Sequence, residues 1–197
     1  MRLIAQDIAS VRGGRPVFAG LSFSVGNRDL LTVTGTNGSG KSTLLRILAG
    51  LLRPEAGTVT LDPVEETGIA GAVHYLGHLD ALKPSLTVRD NLVFWRRIWN
   101  GAPIEAALDA VGLGHLIDLP AGVLSAGQRR RVAIARLLLV KRPIWLLDEP
   151  ATALDASAES MLGRLVGDHL ASGGMAIVAT HRDLPITPTR TIDLGYA

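Results

Sequence analysis

Apolar and polar positions alternate early in the chain and then settle into longer periods. Leu21, Phe23 and Val25 alternate with Ser22 and Ser24, the period-two pattern of a half-buried strand, and the stretch to about Asn27 reads as short strands with turns. Leu30 to Thr34 is a short apolar, β-prone run. It leads into the glycine-rich Gly35 to Gly40, after which Lys41 to Ala49 has helical character and Gly50 is placed to end it. Thr58 to Leu61 and Val73 to Leu76 read as two more strands. From about Thr87 to Leu119 the period becomes helical, with Leu92, Val93, Trp95 and Trp99 and then Ala106, Ala107, Ala110 and Val111. Trp95 and Trp99 have two readings, as core packing or as a face for a partner. Ser125 to Val140 predicts a second helix, Ile144 to Leu147 a fully buried strand, Ser157 to Leu170 a helix closed by Gly173 and Gly174, and Ala176 to Ala179 a last core strand. Beyond Pro185 the chain is turn-rich and predicts no element.

Strands alternating with helices imply an α/β fold with a mainly parallel sheet flanked by helices. The 197 residues suit a single domain, residues 1–197, with a helical insert at about 84–140. A hydrophobic share of 47% against 19% charged residues excludes disorder and supports a real core. The net charge of +2 is too small to point to nucleic acid, and none is expected as a partner. Arg129, Arg130 and Arg131 would spread over about 200° of a helix, so they read as solvated or paired side chains rather than a binding patch. The chain has no cysteine, which excludes disulfides and thiolate chemistry. The N-terminus lacks the apolar stretch of a signal peptide, and no apolar run approaches the roughly 20 residues of a membrane span. Membrane association is therefore expected to come through a partner.

Three short stretches carry candidate chemistry. Gly35-Thr36-Asn37-Gly38-Ser39-Gly40-Lys41-Ser42, followed by Thr43, fits GxxxxGK[ST], the phosphate-binding loop. The glycines let successive N–H groups turn inward onto phosphate oxygens, and the following helix adds its positive end. Lys41 would reach the terminal phosphates and Ser42 would ligate Mg²⁺; the alternative is a glycine-rich turn that happens to precede Lys-Ser. Ile144-Trp145-Leu146-Leu147-Asp148-Glu149 is an apolar strand ending in two acids. Asp148 would hold the Mg²⁺ shell at the carboxyl edge of the sheet and Glu149 would polarise the attacking water, whereas alone the pair would be an acidic turn before Pro150. Ser125-Ala126-Gly127-Gln128 forms a capping box, S-x-x-Q, which by itself only starts a helix. The same geometry offers free N–H groups and a positive dipole end to a second phosphate group.

GTNGSGKST, LSAGQ, WLLDEP, TALD and ATH occur in the order found in ABC ATPases, and the chain resembles that family over essentially its whole length. The resemblance implies a P-loop NTPase core with an N-terminal antiparallel β subdomain and a small helical subdomain. It implies ATP hydrolysis with Mg²⁺ and an ATP-sandwich homodimer. Ser125, Ala126, Gly127 and Gln128 would then face the nucleotide of the opposite subunit, and Asp155 would link the two sites. His181 would hold the γ-phosphate and the attacking water together with Glu149. Two positions depart from the family. Arg12 stands near where an adenine-stacking aromatic is usual, and its guanidinium plane is a stacking surface of a different kind. His78 stands where the family has the glutamine that contacts nucleotide and metal; its other reading is a surface loop histidine.

Gly77-His78, Lys83 and Leu86-Thr87-Val88-Arg89-Asp90-Asn91-Leu92, followed by LSAGQ and arginines, are similar to the ATP-binding subunits of the haem exporters used in cytochrome c maturation. That resemblance implies integral membrane permease subunits of a haem-handling complex as partners. It implies a peripheral position on the cytoplasmic face of the bacterial inner membrane, and work that releases a haem-loaded periplasmic chaperone. With no cysteine there is no cysteine-proline haem motif, and direct haem binding is not expected. The alternatives are an ABC subunit for another substrate, or a soluble ABC ATPase acting on ribosomes or DNA.

Overall fold

The computed structural model describes residues 1–64, 68–182 and 184–195, which cluster into two compact units. The first comprises Met1–Gly77, Arg142–Pro150 and Leu165–Ala197, the second His78–Lys141 and Ala151–Arg164.

The first unit holds two sheets. Strands β1 (Arg2–Arg12), β2 (Arg15–Gly26) and β4 (Ala56–Asp62) form an antiparallel sheet in the order β2-β1-β4. Arg12 pairs with Arg15 across a two-residue turn whose Gly13 and Gly14 take φ of 58° and 74°. Positive φ at both turn residues is what a tight hairpin requires, and paired glycines supply it without steric cost. Strands β3 (Leu30–Thr34), β5 (Val73–Leu76), β6 (Ile144–Asp148), β7 (Met175–Ala179) and β8 (Arg190–Asp193) form a parallel sheet in the order β5-β6-β7-β3-β8. Every residue of β6 and β7 is buried, the signature of central parallel strands. Helix α1 (Lys41–Leu48) buries Leu44, Leu45 and Leu48 in one core with Leu3, Ile8 and Phe23 of the antiparallel sheet and Val33, Leu146 and Ile177 of the parallel one.

The second unit is largely helical. Helices α3 (Val88–Trp99) and α4 (Ile104–Ala110) follow the short α2 (Gly68–Ala72) of the first unit. Thr87 caps α3 by accepting from the Asp90 N–H. Asn91 is buried and ties the preceding loop to α3: it accepts from the Lys83 N–H at 2.8 Å and donates to the carbonyls of Lys83, Leu86 and Thr87. Trp95 and Trp99 are half-buried and pack together with centroids 4.8 Å apart and planes tilted by 33°, with the Arg136 guanidinium 5.4 Å from the Trp95 ring. Helix α5 (Ala126–Ala135) ends five residues short of the Val140 expected from the pattern and passes into a 3-10 turn at Arg136–Leu138. Helix α6 spans Ala156–Ala171. Arg130 is buried and paired with Asp80 at 3.2 Å, while Arg129 and Arg131 donate to the carbonyls of Leu124 and Val111. The arginine cluster is thus paired, as its helical spread suggested. No helix among the described residues is long and apolar enough to cross a membrane.

Two elements escaped the sequence reading. Strand β8 carries no apolar alternation, since Arg190, Thr191 and Asp193 are exposed, and exists because β3 offers it a ladder from Leu31↔Arg190 to Thr34↔Asp193. Helix α2 is five residues long with two glycines, too short and too glycine-rich to show a period.

Candidate nucleotide-hydrolysis site

Register places the site. Asp148 on β6 pairs with Ala179 on β7, and Ala179 pairs with Val33 on β3. The segments leaving these three neighbouring strands therefore emerge on one edge of the parallel sheet, the carboxyl edge where open α/β sheets bind ligands. They are the Gly35–Ser42 loop, the Asp148-Glu149 pair and the Thr180-His181 turn.

The loop after β3 leads into α1, whose N-cap is Gly40 with no side-chain cap. Gly40 takes φ of 99°, and a Cβ there would lie 2.4 Å from Val17 Cγ1 and 3.1 Å from Phe18 Cδ1. Strand β2 thus packs directly on the loop, and only glycine fits between them. The Lys41 ammonium is buried and folds back onto the loop, donating to the carbonyls of Gly35 at 2.7 Å and Thr36 at 3.1 Å. The Ser39 hydroxyl oxygen is buried with no hydrogen-bond partner. A native protein rarely leaves such a group unsatisfied, and a phosphate oxygen is the acceptor this loop is shaped to receive. Thr36, Asn37 and Gly38 are exposed at the loop's crest, and Thr43 is half-buried in the first turn of α1.

Asp148 is 1% exposed. Its Oδ1 accepts from Ser42 Oγ at 2.9 Å and its Oδ2 from the Tyr75 hydroxyl at 3.3 Å. Burial raises the pKa of the Tyr75 phenol, an effect the Asp148 charge reinforces and Arg46 opposes, so Tyr75 is a protonated donor at neutral pH. A hydroxyl and a carboxylate joined this way are hard oxygen donors of the kind that Mg²⁺ takes, through one or two protein groups and its own water. Glu149 extends the β6–β7 ladder by donating its N–H to the Ala179 carbonyl at 2.8 Å, then turns with φ of 47°. A positive φ at a non-glycine residue is sparsely populated and costs energy, a cost met where a side chain must be aimed. It aims the carboxylate at His181, whose Nδ1 lies 2.9 Å from Glu149 Oε2. The Thr180 hydroxyl, bonded both to the Arg182 N–H and to its carbonyl, holds the turn that carries His181.

The structure therefore gathers Gly35, Thr36, Asn37, Gly38, Ser39, Gly40, Lys41, Ser42, Thr43, Asp148, Glu149 and His181 in the first unit. Arg12 is exposed at the β1–β2 hairpin of the same unit. His78, Ser125, Ala126, Gly127, Gln128 and Asp155 belong to the second unit. His78 is exposed in a bend after β5. The capping box forms as expected: Ser125 Oγ accepts from the Gln128 N–H at 3.1 Å and Gln128 Oε1 from the Ser125 N–H at 2.8 Å. Asp155 opens α6, its Oδ1 accepting from the Ala158 N–H at 2.8 Å. Tyr75 was missed by the sequence reading, because a tyrosine inside a β-strand is ordinary and its partner lies 73 residues away.

Comparisons with known proteins agree with this geometry. The family model described as ABC transporter matches residues 18–152. The chain is 54% identical, over all of both chains, to the cytochrome c biogenesis ATP-binding export protein CcmA of Rhodopseudomonas palustris strain HaA2. It is 53% identical to the CcmA protein of Bradyrhizobium diazoefficiens, over 99% of this chain and 98% of that one. Among solved structures, an ABC transporter ATP-binding protein from Pyrococcus furiosus superposes with a TM-score of 0.86 at 25% identity, covering 98% of each chain. A P-loop on an uncapped helix, a buried aspartate tied to its serine and a glutamate held by a histidine accompany these matches, and the chain belongs to the ABC transporter family as one of its ATP-binding, ATP-hydrolysing subunits.

Proposed function

We propose that the chain is the ATPase subunit of the haem exporter complex of cytochrome c maturation, spending ATP to release a haem-loaded periplasmic chaperone. The observation that supports hydrolysis best is the contact of Glu149 Oε2 with His181 Nδ1 at 2.9 Å, one residue past an aspartate tied to the P-loop serine. The full-length identity to CcmA proteins supports the choice of complex.

In this reading the N–H groups of Gly35 to Thr43 and the Ser39 hydroxyl bind the phosphates of ATP, and Lys41 exchanges its loop carbonyls for the terminal phosphate oxygens. Ser42 and Asp148 hold Mg²⁺, which when bound supplies charge neutralisation on the phosphates. Glu149 takes a proton from the water that attacks the γ-phosphorus; the bond to the β-phosphate oxygen breaks, and ADP and phosphate leave. With Nδ1 engaged by Glu149, His181 meets the γ-phosphate through its other ring nitrogen. Arg12 lies against the base, and His78 takes the place of the metal-contacting glutamine. Ser125, Ala126, Gly127 and Gln128 complete the nucleotide site of a second copy across an ATP-sandwich homodimer, and Asp155 links the two sites. Permease subunits in the inner membrane carry the closure of the dimer into work from its cytoplasmic face.

Co-purification in mild detergent tests the assignment. Recovery of a haem-handling membrane protein, with ATPase activity lost in Glu149→Gln, supports it. A different permease keeps the ATPase and discards haem, and recovery with ribosomes or DNA alone overturns the transport reading.

A further inference from the structure

Tyr75 lies on β5, and its ring is half-buried against the core cluster of the first unit. Its hydroxyl reaches across to Asp148 on the neighbouring strand β6, 3.3 Å from Oδ2, while Ser42 takes Oδ1 from the other side at 2.9 Å. A carboxylate rotates about its last bond with little resistance. Ser42 holds one oxygen, and the Tyr75 hydroxyl on the other adds resistance to that rotation. A Cβ on Gly77 would lie 3.2 Å from the Tyr75 Cε1 and 3.4 Å from its hydroxyl, so the ring occupies the space a side chain at 77 would need. The phenol thus joins β5, just before Gly77, to the carboxylate of the site.

We infer that Tyr75 is a positioning residue for the metal: it restrains the rotation of Asp148 and so sets how tightly the site holds Mg²⁺ with nucleotide. This rests on the assignment of Ser42 and Asp148 to the metal made above. Tyr75 itself touches neither phosphate nor water in this role. Its effect falls on metal affinity and leaves metal-free nucleotide binding and the chemical step alone.

The test uses the purified full chain and its Tyr75→Phe variant, which removes one oxygen and keeps the ring. Binding of a fluorescent ATP analogue is measured with and without Mg²⁺, and ATP hydrolysis is titrated with Mg²⁺. Loss of one long hydrogen bond of 3.3 Å predicts about a three- to tenfold rise in the Mg²⁺ concentration giving half-maximal binding and hydrolysis. Metal-free binding stays at the wild-type value, and kcat at saturating Mg²⁺ stays within about twofold. An unchanged Mg²⁺ requirement overturns the proposal, and so does an equal loss of metal-free binding, which would make Tyr75 merely structural. Ser42→Ala serves as the reference. If it too leaves the Mg²⁺ requirement unchanged, the metal reading of Asp148 fails as a whole; if it shifts while Tyr75→Phe does not, Tyr75 alone is excluded.

Discussion

Glu149 and His181 stand just past the ends of neighbouring parallel strands, and their side chains meet with Oε2 and Nδ1 2.9 Å apart. The glutamate side chain is 17% exposed and the histidine 55%, so the pair sits at a solvent-facing edge with the acid on the inner side. Glu149→Gln keeps the size and a hydrogen-bonding oxygen but removes the proposed base. Its expected outcome is a fall in hydrolysis of about 10²- to 10⁴-fold with nucleotide binding retained. His181→Ala is expected to fall similarly, and the double variant no further than the worse single one, as the proposal that the two act as a unit requires. Phosphate-release assays on the four proteins check this.

Gly40 is the point where β2 presses on the phosphate loop. Gly40→Ala would force a Cβ to within 2.4 Å of Val17 Cγ1 at a φ of 99°. The strain at such a φ costs about 1–3 kcal/mol, and the displaced loop no longer presents its N–H groups correctly. The expected result is a lower melting temperature together with loss of ATP binding. Val17→Ala on top of it relieves the contact but not the φ, so recovery is partial. Thermal melts with and without ATP measure both.

These two sites differ in how far the sequence disclosed them. The loop, its helix and the Asp148-Glu149 pair are contiguous segments whose local pattern dictates local structure, so their place at the candidate site was legible. The fixed order of the motifs disclosed His181 through family resemblance rather than geometry. Tyr75 and Asp80 were not legible. Their partners Asp148 and Arg130 lie 73 and 50 residues away, and which partner each meets is decided by strand order and helix rotation. Strand β8 failed for the same reason, since its support comes from the ladder with β3 and from the core that Ile192 packs against, both distant in sequence.

Asp80 and Arg130 tie the segment after His78 to the helix that begins at the capping box. Arg130 is buried, and Arg136, further along, has its pKa lowered to about 10 by burial, an effect Arg130 reinforces and Asp80 opposes. Asp80→Asn removes the carboxylate that faces these cations and is expected to destabilise the protein by about 1–3 kcal/mol, moderated by the partial exposure of Asp80. The sign of the Arg136 contribution follows from linkage. A base whose folded pKa is depressed is unfavourable at every pH below about 10, and the penalty fades only as pH climbs from there towards the ordinary guanidinium range. Asp80→Asn removes the charge that opposes this depression, so the Arg136 penalty is larger in the variant and begins to fade at a lower pH; the difference from wild type in urea denaturation is therefore expected to be largest near pH 7 and to narrow as pH rises towards 10.

Arg12, proposed above to lie against the base, is exposed at the hairpin tip. A guanidinium plane stacks on any base and reads none of its edges. ATP and GTP are expected to be hydrolysed at comparable rates, and Arg12→Ala to weaken both about equally. Restoring an aromatic with Arg12→Tyr keeps stacking. Competition between the two nucleotides checks this, and a strict preference for ATP in the wild type would remove Arg12 from the base site.

Gly127 lies in the first turn of α5, where a Cβ would come within 2.7 Å of the Ala153 carbonyl oxygen. The glycine thus lets the segment before Asp155 pass close to the head of the helix, and both belong to the surface proposed to face a second copy. If that surface completes the partner's site, the effect of Gly127→Ala should appear in association before it appears in nucleotide binding by the isolated chain. Glu149→Gln, which binds ATP without consuming it, is expected to form dimers with Mg²⁺ and ATP and to remain monomeric with ADP. Adding Gly127→Ala to it should abolish those dimers while leaving ATP binding to the monomer within about twofold. Sedimentation velocity separates the cases. Dimers that persist in the double variant would place the interface elsewhere, and equal loss of monomer binding would mean that the helix head serves the fold of its own chain.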